Sequence, residues 1–291
     1  MEEFLFIINP IAGSGKAKDL KEVIRSKMKA SKRTYKIEST KNPKDATRIA
    51  YETNIKTIIA VGGDGTITEV AKGIIKRGYG VLGIIPGGTG NDLIKSLGIE
   101  NNICKSMDII LRGKTSNIDI GKVNGFIFLN VAGIGLDVEV LRREKNIRKY
   151  IKGKMSYILS VFITLIKFRK IQVEIEVEDK RYKKDLVLFN TGNGKFIGGG
   201  LQINPSAIID DGYLHNSIVK DVNNLRILTI FPEIFKGTHI RHKKYVEIFK
   251  SKKIKIYSKE ELYLNLDGEV FPAGKEIEFS LMDEKIEVLI P

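Results

Sequence analysis

Three glycine-rich clusters follow short apolar runs and precede helix-period segments. They are Asn9-Pro10-Ile11-Ala12-Gly13-Ser14-Gly15-Lys16, Gly62-Gly63-Asp64-Gly65-Thr66 and Pro86-Gly87-Gly88-Thr89-Gly90-Asn91-Asp92. An open α/β sheet binds phosphates at this position, between a strand and its helix. Glycine lets the backbone approach a ligand, and the first N–H groups of a helix point at an anion. Lys16 adds a charge to the first cluster. That cluster is not G-x-x-x-x-G-K-[ST], because Pro10 and Ala17 stand where Gly and Ser or Thr are required. In the second cluster a single carboxylate, Asp64, sits among would-be phosphate donors. It repels phosphate unless a cation lies between them, so Mg²⁺ bridging Asp64 to a nucleotide is the expectation. An acid in a glycine loop adds little packing, so its removal is expected to spare the fold. Thr66 and Thr68 can cap the following helix instead. The third cluster offers the Thr89 hydroxyl and the Asn91 amide, with Asp92 as a helix cap. Each cluster alone reads as well as a tight turn; three in one sheet favour a phosphate-binding crevice.

The elements that must position these clusters alternate. Phe4–Ile8, Tyr35–Glu38, Thr57–Val61 and Val81–Ile85 read as strands. Between them, Leu20, Val23, Ile24 and Met28 share one helical face, and Ala46, Ile49 and Ala50 and then Glu69–Ile75 mark two more helices. Such alternation predicts a parallel sheet covered on both faces. From about Thr115 strands follow strands. Ile171, Val173, Ile175 and Val177 alternate with Gln172, Glu174, Glu176 and Glu178, and Glu178-Asp179-Lys180 is the expected turn into Tyr182–Asn190. The second part therefore reads as mostly antiparallel β, with a boundary near residues 120–130. Periodicity leaves open which part takes the last strand, Ile286–Ile290.

The chain has 291 residues, 42% apolar and 29% charged, which suits two soluble domains and excludes a disordered or fibrous protein. Its one cysteine, Cys104, excludes an internal disulfide and a Cys-based zinc site. No run of 18 apolar residues occurs, and MEEFLFIINP is not a secretory signal, so a cytoplasmic location is expected. A net charge of +14 attracts phosphates, nucleic acid or an acidic membrane face, or reflects a solvated Lys-rich surface. Met155–Phe168 is apolar on nearly all sides and follows a dense basic run from Arg142 to Lys154. Two readings stand: a buried helix packed on the β domain, or a short element docking on anionic lipid headgroups.

The motifs NPIAGSGK, GGDGT, PGGTGND, FLNVAGIGLD, Phe196–Gly200, DDGYL and LDGE together make the chain resemble the diacylglycerol kinase catalytic family, in its soluble bacterial branch. GGDGT alone is shared with NAD kinases; PGGTGND with NPxAGxGK and the late DGE is more specific. The resemblance covers nearly the whole length. It implies an α/β fold, a Rossmann-like nucleotide-binding domain with a parallel sheet over residues 1–122 plus about 282–291. A C-terminal antiparallel β-sandwich, residues 123–281, would take the lipid. ATP would lie in the cleft, and the chain end would return to the first domain. ATP contacts carry over to Asn9, Pro10, Ile11, Ala12 and Gly13, to Thr40, to Gly63, Asp64, Gly65, Thr66, Ile67, Thr68 and Glu69, and to Thr89. Glu269 matches the proton acceptor, although Asp-Gly before it is also a strong hairpin signal. Asp119 matches a structural acid near the metal–water network. DDGYL resembles a second metal site, with Ile208 and Tyr213 offering carbonyls and Asp211 its carboxylate.

The implied reaction moves the γ-phosphoryl of ATP to a lipid hydroxyl, most simply diacylglycerol giving phosphatidic acid, with Mg²⁺ offsetting phosphate charge. Glu269 and Asp64 are the residues expected in catalysis. The alternatives are an NAD kinase-like enzyme with a soluble substrate, against which PGGTGND argues, and a non-catalytic basic protein, which leaves Asp64 and Glu269 unexplained. No aromatic-plus-basic strand motif is present, so nucleic acid is not expected as a partner. The expected partners are a lipid alcohol and, peripherally, the anionic inner face of the membrane; a homodimer is compatible with the sequence.

Overall fold

The FLFII run forms strand β1 (Phe4–Ile8), buried at every position. The computed structural model describes residues 2–11, 17–151, 154–220 and 222–291. The chain divides into two compact units: unit 1 runs to Ile118 and takes back Glu284–Pro291, and unit 2 is Asp119–Asp283. The expected crossings lay after residue 122 and before residue 282.

In unit 1, β1 lies between β2 (Tyr35–Ser39) and β3 (Thr57–Gly62), and β3 pairs with β4 (Val81–Pro86). β4 in turn pairs with Glu287–Val288, near the end of β15 (Glu269–Leu289), and every one of these pairs is parallel. Strands buried on both faces need continuous apolar runs, which is what β1, β3 and β4 carry. The chain leaves β1 toward β2 on one side and returns to β3 on the other. This reversal of strand order is where open α/β sheets receive ligands. Ile8 stands opposite Val61, and Gly62 opposite Pro86, so the segments after β1, β3 and β4 leave the sheet at one edge.

The helices of unit 1 are α1 (Ala17–Ser31), α2 (Asp45–Glu52), α3 (Asp64–Arg77), α4 (Asp92–Ser96) and α5 (Ile103–Arg112). Helices α2 and α3 cross closely at Gly73, where a Cβ would come within 2.5 Å of the Thr47 carbonyl oxygen. Asn102 caps α5 by accepting the Lys105 N–H at 3.2 Å, and Gly113, in the left-handed region, ends it.

Unit 2 contains β5 (Thr115–Val123, entering from unit 1), β6 (Phe126–Phe128), β7 (Val131–Gly135), α6 (Leu136–Ile147) and α7 (Lys154–Lys167). It continues through β8 (Ile171–Val177), β9 (Lys180–Gly192), the short β10 (Phe196–Ile197) and β11 (Leu201–Gln202), and β12 (Leu214–Lys220). Helix α8 (Asn224–Ile234), a 3₁₀ turn (Thr238–Arg241), β13 (Val246–Ser251), β14 (Lys253–Leu266) and most of β15 complete it. Its strand order is β13-β12-β9-β7-β14-β15, and β8 also joins β9 to β14. The pairs within this order are antiparallel. Strand residues such as Phe189, Ile256 and Phe279 fill one core. A second core packs α6, α7 and α8 through Val140, Leu165 and Phe231.

The chain end returns to unit 1 as the resemblance implied, and two details are added. The last strand is not a separate piece. β15 is a single strand of 21 residues that pairs with β14 from Glu269 to Ser280 and with β4 at Glu287–Val288. Helix α7 is not buried all round: Met155, Leu159, Phe162 and Ile166 are exposed.

The β8–β9 hairpin turns on Glu178 and Asp179, both left-handed with φ of 48° and 62°. A two-residue turn of this kind favours Asn-Gly. Glu178→Asn with Asp179→Gly is therefore expected to raise unfolding stability by about 0.5–1 kcal/mol, measured by urea titration.

Candidate active site

In unit 1 the second glycine cluster is hardly a loop. Strand β3 ends at Gly62 and α3 begins at Asp64, so Asp64, Gly65 and Thr66 form the first helical turn. Its glycines answer first to neighbouring backbone. Gly87 N–H donates to the Gly62 carbonyl at 2.7 Å, and a Cβ on Gly88 would come within 2.6 Å of the Gly63 Cα. The GGDGT and PGGTGND segments thus lie backbone against backbone, a distance only glycine permits.

Asp64 locks this contact. Its Oδ2 accepts the Asn91 N–H at 2.8 Å and its Oδ1 the Asp92 N–H at 2.9 Å. Burial, with the Asp92 carboxyl beside it, pushes the Asp64 carboxyl above the ordinary range, while the backbone N–H groups of Leu93, Asn91 and Asp92 pull it back. A cation is therefore not needed to account for an acid at this position. Asn91, itself left-handed at φ 52°, closes the third segment. It accepts from Gly88 N–H at 3.1 Å and donates to the Gly88 carbonyl at 2.8 Å. Lys95 Nζ donates to the Gly90 carbonyl at 2.7 Å and pairs with Asp92 at 3.0 Å.

The end of β1 joins the same group. Asn9 Nδ2 donates to Thr66 Oγ1 at 3.2 Å, and Asn9 Oδ1 accepts the Ile11 N–H at 3.1 Å. Thr40 N–H donates to the Ile8 carbonyl at 3.0 Å, which sets Thr40 beside the end of β1. Glu69 accepts the Lys44 N–H at 3.2 Å. Pro10, Ile11, Gly65 and Thr89 are exposed. Ile67 is an exception: its side chain is fully buried in the core and its N–H donates to the Gly63 carbonyl, so it offers nothing to a ligand. Ala12 and Gly13, with Ser14 to Lys16, lie outside the described residues. The first N–H groups of a helix lack partners within it and can receive an anion, and α3 begins at the end of β3.

In unit 2, Asp267 and Gly268, with φ of 49° and 94°, form the two-residue turn between β14 and β15, and Glu269 is the first residue after it. The hairpin signal in LDGE is thus real, and it serves to present Glu269. Asp267 fixes the turn: Oδ2 accepts the Leu129 N–H at 3.1 Å, and Oδ1 accepts those of Asn130 at 3.1 Å and Val131 at 3.0 Å. Asn265 Oδ1 accepts the Gly268 N–H at 3.0 Å, while its Nδ2 donates to the buried Asp137 at 2.9 Å. Burial pushes the Asp137 carboxyl up to about 6, against the Asn265 bond. Asn130 Nδ2 donates to the Phe196 carbonyl at 3.0 Å, and Asn193 Nδ2 to the Asp119 carbonyl at 2.7 Å. Asp119 Oδ2 accepts the Gly212 N–H at 2.7 Å. The segments FLNVAGIGLD, Gly192–Ile197, DDGYL and LDGE, distant in sequence, are tied together here. The Glu269 side chain is exposed and makes no hydrogen bond among the described residues.

The supporting roles of Asp267, Asn265, Asp137, Asn130 and Asn193 were not read from sequence. Asn130, Asp137 and Asp267 stand inside FLNVAGIGLD and LDGE, but a motif does not reveal which distant partner a buried polar group must find.

The expected second metal site does not fit a resident divalent cation. Asp211 Oδ1 accepts the Tyr213 N–H at 3.2 Å, and Oδ2 pairs with Lys250 Nζ at 2.6 Å and lies 3.1 Å from His215 Nε2. Burial raises the Asp211 carboxyl, but the Lys250 ammonium prevails and holds it below the ordinary range. His215 Nε2 also accepts the Ile208 N–H at 3.1 Å. An ammonium already neutralises the one carboxylate of the set. Among the described residues no group of three or more His, Cys, Asp or Glu side chains is arranged to hold a metal ion.

With this geometry in view, the chain was compared with known proteins. Residues 3–123 match the diacylglycerol kinase catalytic domain. Residues 130–288 match the YegS C-terminal NAD kinase beta sandwich-like domain. A diacylglycerol kinase of Bacillus subtilis (strain 168) is 34% identical over 230 residues, 77% of this chain and 76% of its own length. That of Staphylococcus aureus (strain bovine RF122 / ET3-1) is 32% identical over 293 residues, 98% of this chain and 91% of its own. The chain belongs to the diacylglycerol kinase family. It is an enzyme, a kinase whose acceptor is an alcohol. A solved diacylglycerol kinase from Bacillus anthracis str. Sterne superposes with a TM-score of 0.78 at 26% identity, covering 100% of this chain and 97% of that one. An NAD kinase from Archaeoglobus fulgidus, solved in complex with ATP, gives 0.56 at 12% identity over 98% of this chain and 93% of that one, a likeness of fold alone.

Asp64→Ala is expected to destabilise unit 1 by about 1–3 kcal/mol, because the Asn91 and Asp92 N–H groups lose their acceptor. Denaturant titration checks this, and an unchanged midpoint would contradict the clamp. Asp137 gives a pH signature. Its folded pKa of about 6 exceeds the ordinary 3.8, so the folded chain binds the extra proton and stability falls as pH rises between those values. Two pKa units correspond to about 3 kcal/mol. Asp137→Asn should therefore be more stable than the parent above about pH 6 and lose that advantage below about pH 4.

Proposed function

We propose that the chain transfers the γ-phosphoryl of ATP to the free hydroxyl of diacylglycerol, giving phosphatidic acid. The observation that carries this reading is the unpaired Glu269 carboxylate on a turn pinned by Asp267 and Asn265. A general base must be held in place yet keep its own oxygens unoccupied. The reading assigns the acceptor side to unit 2 and the phosphoryl donor to unit 1. In unit 1 the N-terminus of α3 and the glycine segments offer backbone N–H groups to phosphate oxygens. Asn9, Thr40 and Thr66 border them with polar side chains.

Glu269 takes the hydroxyl proton as the acceptor oxygen attacks the γ-phosphorus, and the bond to the β-phosphate oxygen breaks, leaving ADP. Mg²⁺ entering with the nucleotide would offset phosphate charge. Asp64 would hold it through lone pairs beyond those given to Asn91 and Asp92. Lys250, already committed to Asp211, is outside this chemistry. Support for the lipid acceptor comes from relatives named diacylglycerol kinase over most of their length. An acceptor of this kind is held in a bilayer, so the reaction belongs at the inner membrane face.

Radiolabelled ATP offered with diacylglycerol micelles, phosphatidylglycerol, a sphingoid base and NAD tests the reading directly. Label is expected in phosphatidic acid; label in NADP instead would replace it with the NAD kinase alternative. Glu269→Gln should lower turnover on diacylglycerol by about 10²–10⁴-fold and leave ATP affinity unchanged. Near-normal turnover would remove Glu269 from the mechanism.

A further inference from the structure

Unit 2 holds an apolar cavity between its sheet and its helices. Val140, Val161 and Phe231 of α6, α7 and α8 wall one side, and Leu188 and Val219 of β9 and β12 the other. The space reachable by the centre of a water-sized sphere is about 70 Å³. One water needs about 10–15 Å³ on that measure, so the slot has room for one hydrocarbon chain and not for a pair side by side. Walls of this kind do not hold water, and the occupant that fits them is itself apolar. His239 lines the cavity too; burial pushes its imidazole down to about 4, so it is uncharged at neutral pH.

Strand register shows how the cavity lies relative to Glu269. Val131, Gly192 and His215 form one row across β7, β9 and β12. That row belongs to the site, because Asp267 holds the Val131 N–H. Two residues further along each strand, about 7 Å away, come Gly133, Asn190 and Ser217, and two further Gly135, Leu188 and Val219. Leu188 and Val219 of this third row line the cavity. The middle row is polar. Asn190 and Ser217 are fully buried, and neither the Asn190 amide nor the Ser217 hydroxyl has a hydrogen-bond partner. A Cβ on Gly133 would come within 2.7 Å of Asn190 Oδ1 and 2.8 Å of Asp137 Oδ2, so Asp137 shares this row. A buried polar group without a partner calls for an explanation, and a ligand oxygen supplies one.

The cavity is joined to the site on both sides of this row. Asp137 lines it and is linked through Asn265 to the Gly268 N–H, next to Glu269. Tyr157 and Ile197, half-buried, also line it. A Cβ on Gly198 would strike the Tyr157 ring at 2.6 Å, so the turn after β10 rests on that ring. Phe196, beside Ile197, gives its carbonyl to Asn130 Nδ2. From Glu269 inward the order is therefore a free carboxylate, a row of buried polar groups and an apolar slot. An acylglycerol has its parts in the same order: hydroxyl, ester, chain.

We infer that the cavity takes one acyl chain of the acceptor, with the ester at Asn190, Ser217 and Asp137 and the free hydroxyl at Glu269. The Asn190 and Ser217 side chains are fully covered, so they must turn to receive the ester carbonyl. A glyceride with a single chain offers everything this arrangement grips. Monoacylglycerol is therefore an acceptor as well as diacylglycerol, whose second chain stays outside. The transfer is the same: the glyceride oxygen bonds to the γ-phosphorus, the bond to the β-phosphate oxygen breaks, and Glu269 takes the proton. The products are lysophosphatidic acid and ADP. The inference rests on the lipid-kinase reading for this transfer, whereas the affinity of the slot for a chain does not.

A series of 1-monoacylglycerols of rising chain length, each below its micelle concentration, tests this. With ATP, KM should fall about threefold to fourfold for each added methylene and level off once the slot is full. Without ATP, the same lipids should raise the melting temperature, more for longer chains. Val161→Phe puts a ring into the cavity, and Ile197→Trp crowds its half-exposed wall; each should bring the levelling point to a shorter chain. Ile197 is not part of the buried core, so its variant keeps the test open where Val161→Phe melts early. Asn190→Leu should raise KM for monoacylglycerol about fivefold to tenfold. It should leave KM unchanged for the matching 1-alkylglycerol, an ether without the carbonyl. A chain-length series that is flat in the parent, or a levelling point unmoved in the folded variants, would overturn the inference. If diacylglycerol is phosphorylated while monoacylglycerols neither bind nor react, the inference falls and the kinase reading stands. If melting rises with chain length but no lipid is phosphorylated, the chain slot stands and the kinase reading falls.

Discussion

A buried backbone N–H must find an acceptor, and in this protein two carboxylates meet that demand for segments far from their own. Asp64 takes the Asn91 and Asp92 N–H groups, and Asp267 takes those of Leu129, Asn130 and Val131. Irregular backbone next to a binding site has no ladder partner to rely on. A carboxylate offers several acceptor positions in one place and forms stronger hydrogen bonds than a neutral oxygen. Each of these acids therefore holds a neighbouring segment in position, and the functional groups follow from that: the N-terminus of α3 beside PGGTGND in unit 1, and the free Glu269 in unit 2.

The glycines serve the same arrangement. At Gly63, Gly87 and Gly88 a Cβ would strike the backbone of the opposing segment, and at Gly62 it would strike the Thr66 side chain of its own. The acids of unit 2 differ in how their charge is met. Asp211 has an ammonium at 2.6 Å and is held below the ordinary range, whereas burial pushes Asp137, met by the Asn265 amide and by backbone N–H groups, up to about 6.

Helix α7 shows why a run of apolar residues does not reveal which side is covered. Its hydroxyls face inward because Glu144 and Arg143 supply partners there, and a satisfied hydroxyl can be buried at little cost. The apolar positions Met155, Leu159, Phe162 and Ile166 are then left outside.

Much was decided by sequence alone. The order of elements, the parallel first part and the antiparallel second part followed from local periodicity, because strands buried on both faces and strands buried on one face need different patterns. The Glu178-Asp179 and Asp267-Gly268 turns were visible as polar pairs between strand-like runs. The position of Asn9, Gly63 and Thr66 just after strand ends was legible because the apolar runs of β1 and β3 and the residues that break them show in local sequence. Tertiary structure decided the rest. That Asp64 clamps Asn91 and Asp92, that Asp267 reaches back 136 residues to Val131, and that Lys250 occupies Asp211 depend on which segments the sheets bring together. The same is true of the burial of Ile67 and the outward stripe of α7. Spacing along the chain reports a residue's own helix or strand face, whereas a hydrogen-bond partner 28 or 136 positions away is fixed only when strand register sets the distance between them.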